Sequence, residues 1–486
     1  MKREFSINII ILIGINLLVK PFYIFGIDRT VQNEVGPESY GLYFAIFNFT
    51  YLFYIINDFG LQNFNNRFIA QNRQQVGRML PSILGLKFWL ALVYFLVIVI
   101  AGYLIGYFPK HWKILLILGA NQTLVALMFY LRGNLSGLGL YKTDSLMSAM
   151  DRLLMIFICG WLLWFAPGFA PFRIEYFVLA QTVSLTITNI VLLFLVFPKA
   201  RQSVLRFNWR TWPSILRSSF PFALVIILMT LYSRLDGVMI ERLLPDGQYE
   251  SGVYASAYRL LDAFNMFGLL MAGLLLPMFS RLFKSNETII PLLRQAFLIT
   301  LSFSSAMVIL GVVFGEEIMA WLYTDATIYW AEILKFLLPT FLFTSGIYVV
   351  GTLLTAHGDL KRLNQILLLG VLLNIVLNFA LIPSQKAMGA TLATLGTQGL
   401  MFVLQALLVI RLFSIRLPVK DLLRITAFLV GSILVAVASH KFLPFTWQLN
   451  FLLGILGVSL FALGLKLIDL SSAIQLIFGE KSRNKV

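Results

Sequence analysis

Charge is the first thing this sequence has little of. Asp, Glu, Lys and Arg together make up 12% of its 486 residues, where a soluble domain carries roughly 25%. That scarcity excludes an ordinary water-soluble domain. Cysteine is nearly absent: Cys159 stands alone in an apolar run, so the chain can form no disulfide within itself. The three histidines are scattered, which leaves no readable metal site and no cofactor-binding pattern. No phosphate-gripping P-loop, G-x-S-x-G or H-E-x-x-H stretch occurs. The connectors read as outer loops are at most about 15 residues long, given spans of about 20 residues. They leave no room for a catalytic domain, so an enzyme is not expected.

What is present is hydrocarbon. Apolar residues reach 59% and the mean hydropathy is +0.85, which together imply an all-α polytopic membrane protein. Fourteen segments are long and apolar enough to span: about 6–27, 40–59, 82–107, 113–134, 146–166, 174–197, 215–240, 252–277, 291–314, 328–354, 363–383, 387–410, 422–440 and 447–468. The first, FSINIIILIGINLLVK, is too long for a signal-peptide core and is expected to remain as a span. Counted from a cytoplasmic N-terminus, the inner loops hold 21 Lys and Arg and the outer loops seven. This bias fits the positive-inside rule with both termini cytoplasmic. The net charge of +16 therefore faces anionic lipid, not nucleic acid.

A basic connector, PKARQSVLRFNWRTWPSILRSS, follows the sixth span and suits the inner membrane surface. It suggests an N-terminal bundle at 1–197, a linker at 198–214, a second six-helix bundle at 215–411, and two extra spans with a tail at 412–486. The halves echo each other: Gly41-Leu42-Tyr43 opens span two and Gly252-Val253-Tyr254 opens span eight. With even span numbers the halves share one orientation.

Charges inside spans are the candidate functional residues, because each costs at least ~2.5 kcal/mol at mid-bilayer. Lys20 sits beside Pro21 near the expected outer end of span one. Arg234 and Asp236 in LYSRLDGVMI are two residues apart. On a helix of about 100° per residue they point away from each other and cannot readily pair. Gly237 allows close helix approach. Arg259 and Asp262 are three apart and suit an ion pair, as do Glu332 with Lys335 and Lys466 with Asp469. Lys87 and Asp58 are read as snorkelling near cytoplasmic ends. Arg152 beside Asp151 is a secondary candidate. So are Asn374 and Asn378, four apart on one face. Asn16, Asn121, Gln122, Gln181, Asn189, Gln398 and Gln405 join them in suggesting a polar cleft.

Two stretches carry a resemblance. RLDGVMIERLLPDGQYESGVYASAYRL, followed by LLLPMFSRLF, resembles the seventh-to-eighth span region of bacterial polysaccharide transporters. VGPESYGLYFAIFNFTYLFYIINDFGLQNFNNRFIAQ resembles the matching N-terminal region. Both point to the multidrug/oligosaccharidyl-lipid/polysaccharide flippase superfamily. The resemblance implies two pseudo-symmetric MATE-like six-helix bundles plus two C-terminal helices. It also implies transfer of an undecaprenyl-pyrophosphate-linked oligosaccharide across the bacterial inner membrane by alternating access. O-antigen, capsule and exopolysaccharide units are not separable. Lys20, Arg234 and Arg259 would then hold the pyrophosphate, and Asp236 and Asp262 would support them or couple to a proton or sodium gradient. Membrane lipids, and glycan polymerase machinery, are the expected partners. Two rivals stand beside this reading. A cation-coupled drug exporter of the same superfamily would need cavity carboxylates, and the segment 6–27 has none. A membrane glycan polymerase would need a large outer loop.

Overall fold

The computed structural model describes residue 14, residues 18–62, 65, 69, 76–166, 168, 171–200, 209–415 and 418–467. Among these residues the structure is helical with no strand, and 11 helices are long and apolar enough to cross a membrane. A π-helical turn, Tyr23–Asp28, leads into α1 (Arg29–Leu52) and α2 (Tyr54–Asp58). Then come α3 (Val76–Ile105), α4 (Trp112–Gly137), α5 (Tyr141–Met147), α6 (Met150–Trp164), α7 (Ile174–Ala200) and α8 (Trp212–Leu243). The rest are α9 (Gly247–Ser285), α10 (Ile290–Val313), α11 (Gly315–Leu322), α12 (Ile328–Leu337), α13 (Thr340–His357), α14 (Leu360–Phe413), α15 (Val419–Phe442) and α16 (Trp447–Gly464).

Two breaks divide long helices into separate spans. The 54 residues of α14 would reach about 80 Å at 1.5 Å per residue, far beyond a hydrocarbon core of about 30 Å. Lys386, at φ 54 and ψ −134, breaks it three residues after Pro383, where the sequence separates the eleventh and twelfth spans. In α1 the break is Gly36, at φ 77 and ψ 164, followed by Pro37. Glycine alone enters that region without strain, and proline cannot continue the ladder. The first span therefore continues past residue 27. Asp28 and Arg29, expected in a loop, are helical, and Asp28 is 2% exposed. Most of residues 1–17 lies outside the described residues, and so does Asn16.

By packing the chain divides into two compact units, Met1–Gly252 and Val253–Val486. The sequence put the seventh span, α8, with the C-terminal bundle, but it packs in the N-terminal unit along α1. Gly237 faces this contact: a Cβ there would lie 2.8 Å from both the Phe44 ring and the Asn48 amide, so a larger residue would require those side-chain tips to move. Most of the basic linker, 201–208, lies outside the described residues.

Within the first unit α4 lies along α7, held by interhelical hydrogen bonds. Asn121 donates to the Val178 carbonyl at 3.2 Å and Asn189 to that of Leu124 at 3.0 Å. Gln181 donates to the Tyr43 hydroxyl at 2.7 Å. The expected polar cleft is not built from these amides. They are buried and bonded to neighbouring helices, as hydrocarbon demands of any polar group. In the second unit α13 lies along α14, and the α15–α16 hairpin docks on α10. Arg294 of α10 grips Asp421 of α15 with two parallel bonds, the geometry that suits a guanidinium and a carboxylate.

Candidate functional site

The N-terminal unit gathers charge where the first helix passes α4 and α6. Lys20 stands just before the π-turn, within electrostatic reach of Arg152, Asp151 and Arg132. Arg132 lies in the last turns of α4, and its Nε donates to Asp144 Oδ1 of α5 at 2.8 Å. Arg152, in the first turn of α6, has its Nε 3.4 Å from Asp151 Oδ2. Its guanidinium covers the Tyr23 ring at 4.6 Å, a cation–π contact. The π-turn widens the helix and buries Tyr23; such turns are frequent at functional sites.

Lys20 lies farther from the end of its helix than the expected span 6–27 implied. Sixteen residues separate it from the break at Gly36, about 24 Å of helix. Its neighbours Arg132 and Arg152 flank the 138–149 connector, which the charge bias reads as cytoplasmic.

Arg234 is half-buried on α8, its guanidinium 5.6 Å from the centre of the Tyr51 ring. Asp236, two residues on, is 1% exposed. In the second unit Arg259 and Asp262 of α9 pair, Nη1 to Oδ2 at 3.7 Å, with side chains 14% and 21% exposed. Asn378 donates to Asn374 at 3.1 Å, and both are fully buried. These asparagines stand inside helix packing and present no surface for a ligand.

Other expectations change. Lys87 and Asp58 do not snorkel. They form a buried pair at 3.1 Å, with Lys87 also donating to the Asn57 carbonyl. Lys335 pairs with Glu316 of α11, because α11 brings a carboxylate closer than its own helix does. Asp469 lies outside the described residues.

Three features escaped the sequence reading. Asp28 accepts a hydrogen bond from Tyr40 at 2.6 Å, so the first membrane helix does carry an acid. Arg132 reads as a loop residue until α5 folds back beside it. At the C-terminal end of α8, Glu241 and Arg242 bond each other, while Tyr107 donates to Glu241 and lies under Arg242. Among the described residues no three His, Cys, Asp or Glu cluster as a metal site would.

The family described as "Polysaccharide biosynthesis protein" matches residues 7–283, and the MatE family matches residues 221–380. An uncharacterized membrane protein of Methanocaldococcus jannaschii is 27% identical over 198 residues, 41% of this chain. The chain spans about half the length of that curated relative, 46%. A structure of the lipid II flippase MurJ in an inward closed conformation aligns over 92% of this chain and 97% of its own. Its TM-score is 0.61 at 14% identity. An inward-facing multidrug resistance MATE family transporter of the MOP superfamily aligns over 82% and 97%, with TM-score 0.60 at 14% identity. Such identities speak for the fold. The fold is shared with the MurJ and MATE structures. With more than half its length matched, the chain belongs to the polysaccharide biosynthesis protein family.

Proposed function

We propose that the chain flips a polyprenyl-pyrophosphate-linked oligosaccharide from the inner to the outer leaflet of the cytoplasmic membrane by alternating access. Both termini lie inside in this reading. The observation that carries it is a set of cations held in apolar spans of a polysaccharide-family chain: Lys20, Arg234 and Arg259. Arginine grips phosphate oxygens in pairs, and such charge-assisted bonds are strong away from water. Asp236 and Asp262 orient the arginines or couple the cycle to an ion gradient. O-antigen, capsule or exopolysaccharide units all suit this chemistry, and glycan polymerase machinery is the natural recipient. The test is surface glycan in cells carrying Arg234→Ala at wild-type expression. Loss of glycan is expected; an unchanged surface removes the role given to Arg234.

One observation favours a second reading. Asp28 is a buried carboxylate in the first membrane helix, and carboxylates are what a cation-coupled drug exporter requires. Resistance to cationic drugs on overexpression, lost in Asp28→Asn, would replace the first reading with this one.

A further inference from the structure

We propose that Phe47 and Tyr51 form a stacking platform for the sugar rings of the substrate. The platform rests on the flippase reading and extends it from the pyrophosphate to the glycan. It is built on one stripe of α1 that continues into α2. Tyr40, Tyr43, Phe47, Tyr51 and Tyr54 follow at steps of three or four residues, the spacing of neighbours on a helix surface. Their successive ring centres are 5.5, 5.9, 6.2 and 5.3 Å apart. From Tyr40 to Tyr54 the stripe rises about 21 Å, most of a hydrocarbon core of about 30 Å.

The two ends of the stripe differ. Tyr40 and Tyr43 belong to the core: both are buried, and their hydroxyls bond to Asp28 and Gln181. Phe47 and Tyr51 are half-buried. The Phe47, Tyr51 and Tyr54 rings are near-parallel, at 18° and 11°. At these centre distances near-parallel rings are displaced sideways, so much of each face stays uncovered. Among the described residues the Tyr51 hydroxyl makes no hydrogen bond, although a phenol in an apolar span ordinarily finds a partner. A neighbouring face of α1 is held by α8, where Phe44 and Asn48 meet Gly237, so the rings stand on a supported helix. Such a surface suits a glycan. A pyranose has an apolar C–H face and a rim of hydroxyls. The C–H face lies against the electron-rich face of an aromatic ring, and the rim bonds to a phenol. Arg234 sets the order, since its guanidinium is 5.6 Å from the centre of the Tyr51 ring. With the pyrophosphate on Arg234, the first sugar meets Tyr51 and the next meets Phe47, about 6 Å further along the helix.

The experiment uses the full chain in phosphatidylcholine nanodiscs. Calorimetry compares farnesyl pyrophosphate with the same lipid carrying an N-acetylglucosamine disaccharide. The sugar-bearing lipid should bind the wild type more tightly, by roughly three- to tenfold per stacked ring. Tyr51→Ala and Phe47→Leu should each remove one ring's share of that gain, while the affinity for bare farnesyl pyrophosphate stays close to the wild-type value. Phe47→Trp should keep the gain. Leucine is as apolar as phenylalanine, so the contrast between the two substitutions separates stacking from plain packing. If Tyr51→Ala does not purify as one species, Phe47→Leu, at a half-buried position, carries the same test. A sugar gain undiminished in both variants overturns the platform. So does a wild type that binds the two lipids equally, or a parallel loss of both lipids in the variants, which would make the rings structural. A wild type that binds neither lipid removes the platform together with the pyrophosphate role of Arg234. The flippase reading is judged separately, by loss of surface glycan when the gene is deleted.

Discussion

Lys87 and Asp58 show how far a charge in an apolar run can be read. The sequence marks both as costly, but not where each finds relief. In the fold they meet each other under Tyr130, at 3.1 Å and almost without solvent. Removing one partner of such a pair leaves the other charge buried alone, which costs about 3–5 kcal/mol. Lys87→Met should therefore destabilise by that order, and adding Asp58→Leu should return most of the loss. Thermal unfolding of the two single variants and the double completes the cycle; additive losses would show that the pair is not coupled. Lys20, Arg234 and Arg259 were visible because a cation stands out against leucine. The depth of Lys20 was not, because Asp28 and Arg29 resemble the start of a loop. Only the fold shows the helix continuing, as the π-turn runs straight into α1. Arg132 was hidden for the converse reason: its partner Asp144 lies across a turn, and hydropathy does not report such contacts.

Helices were the most legible level, since a span is a matter of length and composition. The break between the eleventh and twelfth spans falls where Pro383 and Lys386 place it. The break at Gly36 was missed, although Gly36-Pro37 is a strong stop signal, because polar residues had already closed the span. The start of α9 against α1 adds a detail that hydropathy cannot supply. A Cβ on Gly41 would lie 1.9 Å from the Gln248 carbonyl oxygen, and one on Gly252 would lie 2.1 Å from that of Pro37. Gln32 completes the seam with a 3.1 Å bond to the Gly252 carbonyl. Backbone cannot yield as a side-chain tip can, so Gly41→Ala and Gly252→Ala should each part these helices. A cysteine pair across the seam, at Pro37 and Ser251, should crosslink in the parent and at least several-fold less in either variant. Undiminished crosslinking would show that the seam tolerates a methyl group.

At the scale of the whole molecule, the count of basic residues fixed the expected orientation and pointed away from nucleic acid. Family and fold agree with the membrane class that composition indicated. The division at Gly252 was not legible, because α8 is as apolar as its neighbours and hydropathy does not report which helix it packs along. The orientation can be tested directly, since the chain has one cysteine. In a Cys159→Ala background, Lys110→Cys should react with an impermeant thiol reagent in intact cells, and Lys361→Cys only after permeabilisation. The reverse pattern would invert the topology and move the Lys20 cluster to the outer face.

Gly41 and Gly252, 211 residues apart in the chain, meet within the first unit. If the two G-x-Y stretches arose from one ancestral motif, that motif could not diversify in either copy alone. A bulkier side chain at one place would press on the main chain at the other, with nothing to trim in return. Saturation mutagenesis should find both positions closed to every larger residue, and pairwise substitution should rescue neither.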